Sequence, residues 1–235
     1  MMNLSRFCLV LLLGAWPGLA IWMSPQSVKS PERNTAIATP FQKSLLKVAA
    51  QYRTWGRVDD QMRWAPWLCI QTSPGLAYAS ASSDNCTHGQ KLYSLFVRKR
   101  EAYMPLAKSA PAGQVIVKQS WVPEEITDPK ERPSKDLDFK KVVQTSDPVG
   151  EADRYYDRDH FYPYVWKGEK VFKAKKQADL FIMMKFDRTT PGTDAGWVYG
   201  TVTPDGKEVI AAGKLDSCIK CHAEAKNDRL FGLPK

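Results

Sequence analysis

The sequence predicts an α+β fold, a predominantly antiparallel β-sheet with packed helices that ends in a short C-terminal helix. Three observations predict it. Four segments, "KLYSLFVRK" (91–99), "PAGQVIVKQSW" (111–121), "DLFIMMKF" (179–186) and "GWVYGTVTPDGKEVIAAG" (196–213), have strand length and strand-forming composition. Helical spacing is clear in "FQKSLLKVAAQYRTW" (41–55), where Phe41, Leu45, Val48 and Tyr52 share one face. Only one substantial core is expected from 235 residues with 43% hydrophobic content.

Taken in chain order, residues 1–20 read as an export signal. Arg6 precedes the apolar run Phe7 to Leu13, and Gly18-Leu19-Ala20 suits a signal peptidase. An uncleaved anchor is the rival, because apolar character continues through Ile21, Trp22 and Met23. Both readings place the folded part outside the cytoplasm, the first in the periplasm. Residues 21–40, rich in Pro, Ser and Thr, form a linker, and the domain occupies 41–235.

Pro40 starts the helix of 41–55. After an irregular stretch containing Cys69 and Cys86 comes the strand of 91–99, followed by "REAYMPLAKS" as a short helix or turn and by a second strand entered through Gly113. Residues 123–165 are charged, contain Pro123, Pro129, Pro133 and Pro148, and close on "RYYDRDHFYPYVW". They read as an insertion covering one end of the domain. "DLFIMMKF" is apolar enough for a strand covered on both faces. The last hairpin turns at Thr203-Pro204-Asp205-Gly206, with Pro fixing φ at the second position and Gly accepting a positive φ at the end. A final helix is expected from Leu215 to Lys226.

That final helix carries Cys218-Ile219-Lys220-Cys221-His222. Two thiols three positions apart, followed at once by His, form the attachment pattern of haem c. The sulfurs reach two vinyl groups of one porphyrin edge, and His222 becomes the proximal iron ligand. The competing reading is a zinc site in which Cys69, Cys86 or His88 completes Cys218 and Cys221. In an oxidising compartment, however, Cys69 and Cys86 are candidates for a disulfide.

The thirteen residues after His222 contain neither Met nor His, so a sixth ligand has to come from upstream. The candidates are His88, His160, Met62, Met104, Met183 and Met184. Met183 and Met184 also suit a core and the two His suit loops, so the expectation is an open or weakly held sixth position that takes a small molecule. The formal net charge of +9 is dispersed. It excludes a nucleic-acid interface in an exported chain without a basic stripe, and it leaves an acidic redox partner as a use for Lys214, Lys220, Lys226 and Arg229.

Two stretches carry a family likeness. "GWVYG…TPDGKEV…CIKCHAEAKNDRLF" and "HGQKLYSLFVRKREAYMPLAKSAPAGQVIVKQSW", covering about 88–122 and 179–232, resemble the cytochrome P-460 family, which also includes the gas-binding cytochromes c′-beta. The resemblance implies an antiparallel sheet with helices, usually a homodimer, and one haem c per chain with His222 proximal. It implies a role for Lys118, since a lysine at that "V-x-V-K" position bonds to the porphyrin in the P-460 members and not in the c′-beta members. Strand alternation puts Ile116 and Lys118 on one face and Val115 and Val117 on the other; a lysine reaching solvent along its stem is the alternative. Gln119 stands where an acid is frequent in the family. Before the motif, "EVIAAGKLD" offers only Glu208 and Asp216 as carboxylates, while Ala211, Ala212 and Gly213 leave room over an iron. Three functions follow: an oxidoreductase acting on hydroxylamine or nitric oxide, a protein binding nitric oxide or carbon monoxide without turnover, and a simple electron carrier.

Overall fold

One strand organises the molecule. In the computed structural model, which describes residues 40–55, 57–58, 62–65, 69–72, 75–80, 88–103, 109–137, 139–141, 143–144, 160–225 and 227–232, Lys170–Lys185 forms a strand of 16 residues. The expectation began it only at residue 179. Its first half is obscured in the sequence by "KAKK", yet Phe172 to Lys176 run opposite Glu125 to Val122 through a bulge between Ala174 and Lys176. Alternation and backbone pairing outweigh the low strand propensity of lysine there.

The described elements are α1 (Gln42–Gln51), a 3-10 turn (Tyr52–Trp55), β1 (Met62–Ala65), β2 (Cys69–Thr72), β3 (Gly75–Leu76), β4 (Tyr78–Ala79), β5 (Leu92–Val97) and α2 (Arg100–Tyr103). There follow β6 (Val115–Glu125), a 3-10 turn (Phe139–Lys141), β7 (Val143–Gln144), β8 (His160–Tyr162) and β9 (Tyr164–Lys167). The long strand is β10, followed by β11 (Trp197–Val202), β12 (Val209–Gly213) and α3 (Asp216–His222). The fold is mostly antiparallel sheet with helices. The main sheet has the order β12-β11-β10-β6-β5-β4, with β9 also pairing β10, and β1-β2 and β3-β8-β7 form two smaller sheets. Of these pairings only β3 with β8 is parallel.

β6 runs on through Pro123, which sits opposite Ala174 beside the bulge, where a missing N–H is tolerated. β9 pairs with the start of β10. The first and last residues of the 123–165 segment therefore belong to the main sheet. Phe161 of β8 stacks on Trp121 with ring centres 5.5 Å apart, and Arg57 lies over both Phe96 and Phe161.

The two faces of the main sheet are packed differently. On one, Phe96, Val115, Val117, Leu180, Ile182, Met184, Val198 and Val202 meet Phe41, Leu45, Val48 and Tyr52 of the first helical segment. The four residues assigned to one helical face by spacing are thus all buried. Gly200 makes this possible, because a Cβ there would lie 2.5 Å from a methyl of Leu45. The opposite face carries Leu95, Val97, Ile116, Met183, Trp197 and Tyr199, against which Leu215, Cys218, Ile219 and Leu230 pack. The β11-β12 hairpin turns where expected, with Gly206 at φ +73° donating its N–H to Thr203 O at 2.9 Å.

The segment read as an export signal, nearly all of the linker, Met104 and Cys86 lie outside the described residues. Cys69 is placed on β2 by its backbone alone, so the Cys69–Cys86 disulfide also lies outside them. Among the described residues no helix is long and apolar enough to cross a membrane.

Candidate functional site

α3 has seven residues, too few to hold a helix without tertiary contacts. Leu215 is the extended N-cap and Asp216 places a negative charge in the first turn. Cys218 and Ile219 turn towards the sheet, whereas Lys220 and Cys221 are exposed. The helix ends at His222, four residues short of the expected Lys226. Beyond it the chain doubles back, pairing Asn227 with Leu230, and Asp228 and Arg229 take positive φ values of 49° and 72°.

Long-range pairs impose this reversal. The Lys185 ammonium, buried on β10, donates to Asp228 at 2.9 Å and to the Ala195 carbonyl at 2.8 Å. The Ala110 N–H donates to the same carboxylate at 3.0 Å. Arg229 donates to both oxygens of Asp194, at 2.9 and 3.1 Å, and Asp194 accepts a third bond from the Tyr199 hydroxyl at 2.9 Å. Burial opposes the charged form of Asp228, but Lys185 and the Ala110 N–H outweigh it and hold the carboxyl below its ordinary value. The Arg229 hydrogen bonds do the same for Asp194. Arg229, expected among the charges that dock a partner, is instead half-buried and paired with Asp194.

The reversal sets the Arg229 carbonyl against His222. Nδ1 of His222 donates to it at 2.7 Å, which fixes the tautomer and leaves the lone pair on Nε2. The ring lies between Tyr199 and Phe231, with centres 5.5 and 5.4 Å away. Burial, followed by the charges of Lys118 and Arg229, holds this imidazole below its ordinary value, so it is neutral and a competent metal donor at neutral pH.

Lys118 stands on the same sheet face. Its register partners are Leu95 and Phe181, and its ammonium lies 4.1 Å from the centre of the Tyr93 ring. His88 meets Phe181 edge-on at 4.4 Å. Its buried Nδ1 has no hydrogen-bond partner among the described residues. Burial and then the charges of Lys118, His222 and Lys91 push it down to about 3. One face thus brings together Cys218, His222, Lys118 and, through Phe181, His88.

The remaining candidates separate. Met183 faces α3, and Met184 belongs to the core under α1. His160 and Met62 are placed on β8 and β1 by backbone alone. Ala211 and Gly213 face the α3 side by register, while Ala212 packs on the α1 core. Glu208 and Asp216 are exposed. Gln119 turns to the α1 side, where it donates to the Tyr52 hydroxyl at 3.0 Å and to Gln177 at 2.9 Å. Asp194, Tyr199, Lys185 and Tyr93 were missed as site residues; for Tyr93 the signal existed, since it shares strand alternation with Leu95 and Val97.

These residues fit a haem c. Cys218 and Cys221 are free thiols on one short helix, and His222, which would be the iron ligand, is already oriented through its second nitrogen. Among the described residues no group of three or more His, Cys, Asp or Glu side chains is placed to hold a metal ion by itself; Cys86 and the Cys69 side chain, on which the zinc reading draws, lie outside them. No protein-family model matches the chain, and no curated protein matches it in sequence.

Proposed function

We propose that this chain is an exported protein carrying one haem c on Cys218, Cys221 and His222, which handles hydroxylamine or nitric oxide in the manner of the P-460 family. The observation that carries the reading is the 2.7 Å hydrogen bond from His222 Nδ1 to the Arg229 carbonyl, beside two free thiols. A lone histidine after two cysteines has no need of such an anchor; an iron ligand does, because the bond fixes ring direction and raises the basicity of Nε2. When bound, the haem supplies an iron able to exchange electrons with a small nitrogen oxide. The chain contributes the rest: Cys218 and Cys221 hold the porphyrin edge, Met183 and Tyr199 line the floor, and Lys118 sits on the face where a bond to the porphyrin would define the P-460 branch.

Optical and spin-state spectra of the matured protein test this. Expected is a haem c that is high-spin in the ferrous form without added ligand. A low-spin, six-coordinate spectrum in both oxidation states assigns an electron carrier instead. Mass analysis of haem peptides then decides the branch, since porphyrin on the Lys118 peptide supports the oxidoreductase.

A specific observation favours the second reading, gas binding without turnover. The carboxylates first considered, Glu208 and Asp216, are exposed, and the position beside Lys118 is a glutamine turned to the other face. Around Lys118 on its own face stand Tyr93, Leu95, Phe181 and Met183, apolar and aromatic neighbours that suit a neutral diatomic. A Lys118 peptide without porphyrin in fully loaded protein selects it. An acidic redox partner docking at exposed Lys214 and Lys220, and a homodimer, complete the proposal.

A further inference from the structure

We infer that Asp194, Arg229, Lys185 and Asp228 are positioning residues for His222, acting together through the Arg229 carbonyl to set how strongly that histidine donates to an iron. The inference rests on the haem reading above and goes beyond it.

The geometry is unusual in where it stores its strain. Asp visits left-handed backbone with some ease, but Arg229 at φ 72° does so at a cost that a long side chain does nothing to relieve. Such a conformation persists only where the surroundings over-determine it. Here they do so on both sides of one peptide unit: Asp228 is held by the Lys185 ammonium and the Ala110 N–H, and Arg229 by the two oxygens of Asp194. Tyr199 fixes Asp194 in turn while placing its ring beside His222. The outcome of that restraint is the Arg229 carbonyl aimed at Nδ1.

The choice of acceptor has a chemical consequence. A carboxylate on Nδ1 would draw the imidazole towards imidazolate, whereas a carbonyl polarises it more gently. Two carboxylates lie close by, and each is bonded to its own cation, so neither becomes the acceptor. The arrangement therefore both supplies a moderate acceptor and keeps stronger ones away.

The test uses the haem-loaded full-length protein. Asp194→Ala frees the Arg229 guanidinium and loosens the carbonyl. The expected result is a higher midpoint potential, because less electron density on Nε2 favours the ferrous state, with a lowered iron–histidine stretching frequency. A tenfold change in the ferrous–ferric equilibrium would read as about 59 mV for one electron, and an upward shift on that order is the expected size. Asp194→Glu, which can remake the pair, restores part of the shift. Should Asp194→Ala fail to accumulate, Asp194→Asn gives the same direction of shift, since the amide keeps the side chain's size while removing the charge that holds the Arg229 guanidinium. A loaded variant with the parent's potential and frequency overturns the inference alone; a parent without haem on Cys218 and Cys221 overturns the haem reading, and this inference with it.

Discussion

The two faces of the main sheet are built on opposite principles. Under α1 the contacts are almost wholly apolar, and the buried polar group Gln119 is satisfied by Tyr52, Gln177 and Ser94. Under α3 the apolar floor is interrupted by Lys185, Asp194, His222 and Lys118, with Lys185 and Asp194 held in ion pairs and His222 in a hydrogen bond to a backbone carbonyl. The first face earns its stability by filling space. The second directs individual atoms, and its buried charges require partners at every turn.

The largest effect should come from breaking that second face. Lys185→Ala leaves Asp228 without its cation in a site where the two side chains are only 6% and 12% exposed, and it is expected to cost about 4 kcal/mol in urea unfolding. Earlier proteolytic cleavage after α3 should accompany it. On the first face, Leu45→Ala removes a side chain with no exposure and opens a cavity against Gly200. The expected loss is about 3 kcal/mol, roughly 10 °C in Tm, with the surroundings of His222 unchanged by NMR. Equal disturbance of both faces by either variant would show them to be one unit.

Acid separates the faces next. His88 is held down to about 3 in the fold against an ordinary value of 6.5, so the unfolded chain binds the proton more readily between those limits. Stability is complete above pH 6.5 and falls as the pH drops towards 3, with about 2 kcal/mol lost by pH 5. His88→Gln should flatten that slope in pH-dependent unfolding, and an unchanged slope would remove His88 from the buried site. The smallest effect is expected at an exposed pair on β6 and β10. Glu124→Ala deletes the exposed ion pair with Lys175 and should change stability by less than about 1 kcal/mol.

Much of the first face is legible in the sequence. Spacing alone assigns Phe41, Leu45, Val48 and Tyr52 to one buried side, and alternation alone separates Val115 and Val117 from Ile116 and Lys118. The Thr203–Gly206 turn is equally readable, because each residue type answers a local dihedral demand. The second face resists such reading. Asp194 and Arg229 are 35 residues apart, and Lys185 and Asp228 are 43 apart, so nothing local marks them as partners. For the same reason α3 was expected to continue to Lys226: the residues after His222 have adequate helix propensity, and only distant charges pull them out of it. The early half of β10 was hidden by its lysines, whose exposed stems obscure a period that pairing enforces.

The motif's two sulfurs, alike in the sequence, are chemically unequal in the fold. Burial against the sheet pushes the Cys218 thiol up, while Cys221 is exposed. Thiolate content and access set the rate of attack, so in a chain with both thiols free Cys221 meets alkylating or oxidising reagents first. Damage to such a chain begins at Cys221 and climbs the oxidation ladder there, with the inner sulfur shielded for as long as α3 stays docked.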